Sequence, residues 1–490
     1  MKGWIRRRRI ECRWHSVLMR AALMLVLGGA GLGHAQGVEV LPEPLRAAIA
    51  ASGLPPSAVG VWIQRVDEEV PLAAHQGDTP FNPASTIKLA TTFTALAELG
   101  VDHQWMTDVR VRGTVREGVL DGDLVLVKTG DPGLNTERYF SLIAGIRRAG
   151  VREIRGDVIL DGAAFSLPFV DPGAFDGQPL RAYNQPAHAL HVNASAIQFY
   201  FYVDGDRLRV ETDPPLPGLR IDNRVQLGGG SCGAWQRGIV FDVSRDATGT
   251  TAHFTGTYPR QCGAYNLYRV ALTPEDYAAE MFRTMWRMQG GSLSGQVRVE
   301  NGAGHSGLDR IYRHASPPLA ELLGPVNKWS NNVHARHMAM AVGAKRYGAP
   351  ATLEKARRAV LEVLAEQGVD VGGMVFDNGS GLSRVARMTP RQMGALLVAA
   401  HRHPTRYEFV SSMSIAGVDG TFRRRFQGAK EAGRIHVKTG RLNAVSAVAA
   451  MVRSDSDREY VVVVMMGHAD AHGAAAQRLQ DSVLAYVAGL

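Results

Sequence analysis

A chain of 490 residues exceeds a single ordinary hydrophobic core, so two or three domains are expected. Its 45% hydrophobic and 21% charged content describes a soluble globular protein and excludes a disordered or membrane-embedded one. The formal charge of +9 is concentrated at the start, where Lys2, Arg6, Arg7, Arg8, Arg9, Arg13 and Arg20 oppose only Glu11; about +3 remains for the rest, and nucleic acid is not implied as a partner.

Those basic residues precede an apolar run at 21–32 and a small-residue close, Gly-His-Ala, at 33–35. Basic, then apolar, then small is the order of a secretory leader, here cut after Ala35. The run is shorter than the ~20 apolar residues of a spanning helix, so no stable transmembrane anchor is expected. Residues 58–74 read as a hairpin around Asp67-Glu68, and a loop with Phe81-Asn82-Pro83 leads into a helical pattern over 84–99 that stops at Gly100. Residues 101–270 hold short strands broken by Gly, Asp and Pro, and helices dominate from Pro274 to His403. The chain closes with strands at 434–442, 444–453 and 459–466 and a helix over 471–488. Strand hairpins at both chain ends commonly share one sheet, because neither buries its apolar face alone. The class is therefore α+β, one domain split by a large β-rich insertion. Cys12 leaves with the leader, so Cys232 and Cys262 are the remaining pair. In an oxidising compartment they read as a disulfide; two unpaired buried thiols are the alternative.

Ser85-Thr86-Ile87-Lys88 is the sole S-x-x-K and falls at the start of the first helical pattern, where i and i+3 share a face. A serine needs a nearby base to become nucleophilic, and a desolvated lysine serves. The bland reading is a Ser cap and a solvated Lys. Ser330-Asn331-Asn332 is the sole S-x-N; its first two residues suit helix caps, or Ser330 relays a proton and Asn332 donates to a substrate amide carbonyl. Val-Lys-Thr-Gly occurs twice, at 127–130 and 437–440. The first copy runs into Asp131-Pro132-Gly133, where proline stops a ladder and Asp131 sets an anion beside any bound carboxylate. The second continues as a strand through Arg441-Leu442, so Lys438, Thr439 and Gly440 are the candidates. His334/His337 and His188/His191 each form H-x-x-H without a third ligand at telling spacing, so no metal is expected. Trp329 and Tyr183 suit a cleft wall, and core or interface packing at least as well.

S-T-I-K, S-N-N and H-V-K-T-G, in that order, resemble the three motifs of the penicillin-interacting serine D,D-peptidases and β-lactamases. The wide gap between the first two is similar to the D-alanyl-D-alanine carboxypeptidase/endopeptidase family of low-molecular-mass class C penicillin-binding proteins. So are G-D-P-G-L at 130–134, D-N-G-S-G-L-S-R at 377–384 and A-G-V-D-G-T-F-R-R-R at 416–425. Asn331 stands where Asp is usual, and Arg441 where Thr or Ser is commoner. The resemblance implies a penicillin-binding/serine β-lactamase-like catalytic domain, an antiparallel five-stranded sheet with helices. Its parts would be a leader at 1–35, a first catalytic part at 36–103, an inserted region of two subdomains at 104–270, and a second catalytic part at 271–490. Ser85 is implied as nucleophile and Lys88 as its base, Ser330 and Asn332 as proton relay and peptide holder, and Lys438 and Thr439 as carboxylate binders. The N–H groups of Ser85 and Arg441 would form the oxyanion hole, and Gly379 and Gly381 would be turn glycines nearby. Peptidoglycan stem peptides are the implied substrates, β-lactams acylating inhibitors, the periplasm the location, and no cofactor is implied. A β-lactamase or esterase on the same architecture and a non-catalytic peptidoglycan scaffold remain as other readings; a scaffold has no need of all three motifs.

Overall fold

The computed structural model describes residues 41–302 and 305–490, so the leader expected at 1–35 lies outside the described residues. The run Val461-Val462-Val463-Val464-Met465-Met466 lies in the strand Glu459–Gly467 and is buried throughout. Side chains alternate across a strand. Val462, Val464 and Met466 therefore enter one core with the closing helix Ala474–Ala488, while Val461, Val463 and Met465 enter another with the helices Lys88–Leu99 and Pro390–Arg402. The result is a helix–sheet–helix sandwich.

The sheet is antiparallel with six strands, ordered Ser414–Ile415, Ile435–Leu442, Val445–Arg453, Glu459–Gly467, Val59–Arg65 and Ala73–His75. The hairpin of the chain start thus joins the strands of its end. One strand is added to the five expected: Ser414–Ile415 pairs only with Val437 and His436. From Lys438 onward that edge of the Ile435–Leu442 strand has no strand partner among the described residues.

A second core belongs to the intervening chain. Its seven-stranded sheet combines Met106–Arg116, Val119–Lys128, Glu153–Ile154 and Val158–Asp161 with Ser292–Leu293, Val297–Val299 and Asp309–Ala315. Residues 292–315 therefore share a sheet with residues 106–161, and the helix Pro274–Met288 packs on the same core. The boundary expected at 270 moves toward Ala315, because Asp309–Ala315 pairs with Met106–Val111 far back in the chain. Smaller sheets of four and three strands fill 197–269, and Cys232 and Cys262 are disulfide-bonded there at a Cα separation of 5.4 Å.

Candidate active site

Ser85 and Lys88 were expected on the first turn of an α-helix. The chain instead forms a 3₁₀ turn over Ala84–Ile87, and the α-helix begins at Lys88. In a 3₁₀ turn residues i and i+3 eclipse, which brings the two side chains directly together. Lys88 Nζ donates to Ser85 Oγ at 2.9 Å and to Asn332 Oδ1 at 2.7 Å. It also donates to the backbone carbonyl of Ser380, toward which the Ser85 hydroxyl points at 3.4 Å. Lys88 is fully buried, and among the described residues no carboxylate pairs with it. Burial, and then the positive charges of Lys438 and Arg336, hold its pKa well below the ordinary lysine range. Such a lysine can take a proton.

The nucleophile turn is clamped from two sides by glycines. A Cβ on Gly440 would lie 2.9 Å from the Ser85 nitrogen and 2.7 Å from the Pro83 carbonyl oxygen. Gly381, at φ +76°, would place a Cβ 2.0 Å from the Ala84 carbonyl oxygen. Both the edge strand and the 377–384 loop can therefore touch the turn only through glycine.

Ser330 sits between the helices Leu319–Asn327 and Asn332–Tyr347 with φ +61°, a left-handed conformation unusual for a serine. Lys438 Nζ donates to Ser330 Oγ at 3.0 Å and to the Thr439 carbonyl at 2.7 Å. Lys438 is buried, which pushes its pKa down to about 7. Asn331 caps the second helix by accepting from the His334 N–H, which explains why its side chain stays out of the lysine cluster. Asn332 Nδ2 donates to the Tyr183 carbonyl at 3.0 Å, so the intervening chain supplies a wall of the site. The Arg441 guanidinium donates to the His472 carbonyl and is anchored there.

The first Val-Lys-Thr-Gly copy lies in a different environment. Lys128 is buried and donates to the Leu190 and His191 carbonyls at 2.9 and 3.4 Å, a packed position rather than a simple strand end. The two H-x-x-H pairs meet beside it, with His191 Nδ1 3.2 Å from His337 Nε2 and His337 Nδ1 2.8 Å from the Gly130 carbonyl. Burial pushes the Lys128 pKa from 10.5 down to about 7. A folded pKa below the unfolded one means that the unfolded chain binds the extra proton between those values, so stability rises with pH there and falls toward pH 7. Lys128→Met should remove one proton's share of that slope, about 1.4 kcal/mol per pH unit. Urea unfolding at several pH values between 7 and 10 measures it, and an unchanged slope contradicts the assignment.

Tyr183 is a candidate for the cleft wall by its ring, but neither its carbonyl nor that of Ser380 is legible by residue type. Both act through backbone carbonyls, which any residue carries. The spacing of the 377–384 glycines is the available signal for Ser380.

The fold is that of penicillin-binding protein 4: the structure superposes on that protein from Haemophilus influenzae with a TM-score of 0.74 at 23% identity, over 91% of this chain and 99% of that one. The sequence matches the D-Ala-D-Ala carboxypeptidase 3 (S13) family over residues 41–487, and the chain belongs to that family. It is 29% identical to the D-alanyl-D-alanine carboxypeptidase of Actinomadura sp. R39, over 94% of this chain and 87% of that protein. It is also 27% identical to the D-alanyl-D-alanine carboxypeptidase DacB of Haemophilus influenzae, over 75% and 76%. The chain is thus a serine-type peptidase of peptidoglycan.

Proposed function

We propose that the protein is exported to the periplasm, where it removes the terminal D-alanine from stem peptides and opens D-alanyl cross-links through an acyl-serine intermediate. The observation that carries this reading is the buried Lys88 amine 2.9 Å from the Ser85 hydroxyl, with no carboxylate among the described residues to hold its proton. Lys88 takes the hydroxyl proton as Ser85 Oγ bonds to the D-alanyl carbonyl carbon. Lys438 and Thr439 hold the terminal carboxylate, and Asn332 holds the peptide. The N–H groups of Ser85 and Arg441 receive the developing oxyanion, a role supported by the approach of Gly440 to the Ser85 nitrogen. Ser330, bonded to Lys438, relays to the leaving nitrogen the proton that Lys88 took from Ser85 as the C–N bond breaks, which leaves Lys88 neutral to accept a proton from the incoming water. Water then splits the ester and restores Ser85. The basic, apolar, small order of residues 2–35 supports export. Among the described residues no helix is long and apolar enough to cross a membrane. The Haemophilus influenzae structure was also determined in complex with a β-lactam, which supports β-lactams as acylating ligands here.

Digestion of purified muropeptides, with products identified by mass, tests both activities. Pentapeptide stems should lose one alanine residue, and D-Ala cross-linked dimers should fall to monomers. Dimers left intact would remove the endopeptidase half, and intact pentapeptides the carboxypeptidase half.

A further inference from the structure

The stretch Ala416-Gly417-Val418-Asp419-Gly420-Thr421 lies between the edge strands Ser414–Ile415 and Ile435–Leu442, and none of the steps above uses it. Its conformation is closely held. Gly420 has φ +61°, and a Cβ there would fall 2.3 Å from Ser414 Oγ and 2.8 Å from the Lys328 carbonyl oxygen. The Asp419 carboxylate pairs with Lys328 Nζ and accepts from the Ile415 N–H at 2.8 Å. The Thr421 N–H donates to the Lys328 carbonyl at 3.0 Å. Lys328 is two residues before Ser330, so this loop joins the S-N-N segment to the K-T-G strand.

These contacts fix the Thr421 side chain between two hydroxyls. Its Oγ1 is 3.1 Å from Thr439 Oγ1 and 3.3 Å from Ser414 Oγ. Ser414 in turn donates to the Lys328 carbonyl at 3.1 Å. A hydroxyl has one hydrogen to give. With the cleft empty, the donors can run in one direction, from Thr439 to Thr421 to Ser414 to the Lys328 carbonyl. A carboxylate only accepts, so a Thr439 that binds one must turn its hydrogen outward. Thr421 Oγ1 then loses the hydrogen it accepted, and the Thr439 oxygen is left facing the Thr421 hydroxyl, which is within reach to donate to it.

We propose that Thr421 is a positioning residue whose hydroxyl turns from Ser414 to Thr439 when substrate enters, committing the Thr439 hydrogen to the terminal carboxylate. This rests on the reading of Thr439 as a carboxylate binder. No covalent bond is made or broken; the Thr439 and Thr421 hydroxyls each change partner. Chains of hydroxyls polarise one another, so the outward Thr439 donor is strengthened by the bond it receives. Thr421 itself is exposed, and water competes with it until substrate covers the cleft. The effect is therefore set by substrate binding rather than by the folded state.

The test compares Thr421→Val, which keeps the shape and loses the hydroxyl, with Thr421→Ser, which keeps the hydroxyl. Each is assayed on an acyl-D-Ala-D-Ala peptide and on its C-terminal amide. Thr421→Val should raise KM for the acid about three- to tenfold, with kcat changed by less than about twofold, as expected for loss of one hydrogen bond. It should leave the amide kinetics and the Tm unchanged, and Thr421→Ser should restore the KM. Equal losses on acid and amide, no loss at all, or a Thr421→Ser variant as impaired as Thr421→Val would each overturn the proposal. Thr439→Val separates the two levels. If Thr439→Val reduces the preference for the acid while Thr421→Val leaves it unchanged, the positioning role alone fails. If Thr439→Val preserves that preference, the carboxylate reading fails and the positioning role with it.

Discussion

Lys88→Met should slow acylation by benzylpenicillin about 10²- to 10⁴-fold, the usual contribution of a positioned general base. Methionine has similar length and suits a buried position, but it cannot take the Ser85 proton or donate to Asn332 Oδ1 and the Ser380 carbonyl. The pH profile carries a second signature. Because burial and the neighbouring Lys438 and Arg336 charges depress the Lys88 pKa, its amine is neutral over a range where an ordinary lysine is charged. Acylation should therefore rise with pH through a limb well below the ordinary lysine value, and Lys88→Met should lose that limb. Stopped-flow acylation over a pH series measures both. Retention of the wild-type rate within about tenfold, with the limb intact, would assign the base elsewhere.

Lys438→Ala should lower kcat/KM for an acyl-D-Ala-D-Ala peptide about ten- to hundredfold, which corresponds to a charge-assisted contact of roughly 1.5–3 kcal/mol. The loss should be much smaller for the C-terminal amide. Here too the sign of the pH effect is fixed. Burial pushes the Lys438 pKa down to about 7, and a carboxylate attracts the ammonium form only. Affinity for the acid should therefore weaken as pH rises through about 7, while the amide shows no such decline. Lys128→Met provides the contrast: the Lys128 Nζ is occupied by the Leu190 and His191 carbonyls, so its loss should act on stability rather than on the acid–amide preference. An acid–amide preference abolished by Lys128→Met and kept by Lys438→Ala would transfer the carboxylate role to the first copy.

Much of the catalytic sheet was legible because its signals are local. The alternation around Asp67-Glu68, the unbroken apolar run 461–466 and the turn at 454–457 each announce a strand or its end within a few residues. The observed strands Val59–Arg65, Ile435–Leu442, Val445–Arg453 and Glu459–Gly467 lie where those patterns place them. Long-range pairing has no local signature. Nothing near Asp309–Ala315 reveals that it lies against Met106–Val111, so local signals alone end the inserted region at 270. Likewise, S-x-x-K spacing places a serine and a lysine on one face of either an α-helix or a 3₁₀ turn, and only the surrounding contacts select the second. The site divides along the same line. Side chains named by motif are found together: Ser85 with Lys88 and Asn332, and Ser330 with Lys438. The Ser380 and Tyr183 carbonyls and the Thr421 hydroxyl lie outside the three catalytic motifs, and these complete the hydrogen bonding around them.

The most direct measurement is the mass of the protein after incubation with benzylpenicillin, followed by peptide mapping of the adduct. A buried lysine on a serine hydroxyl predicts one covalent penicilloyl group, located on Ser85, and none on a folded Ser85→Ala variant. An adduct that persists in Ser85→Ala, or that maps to another residue, would contradict the assignment of the nucleophile.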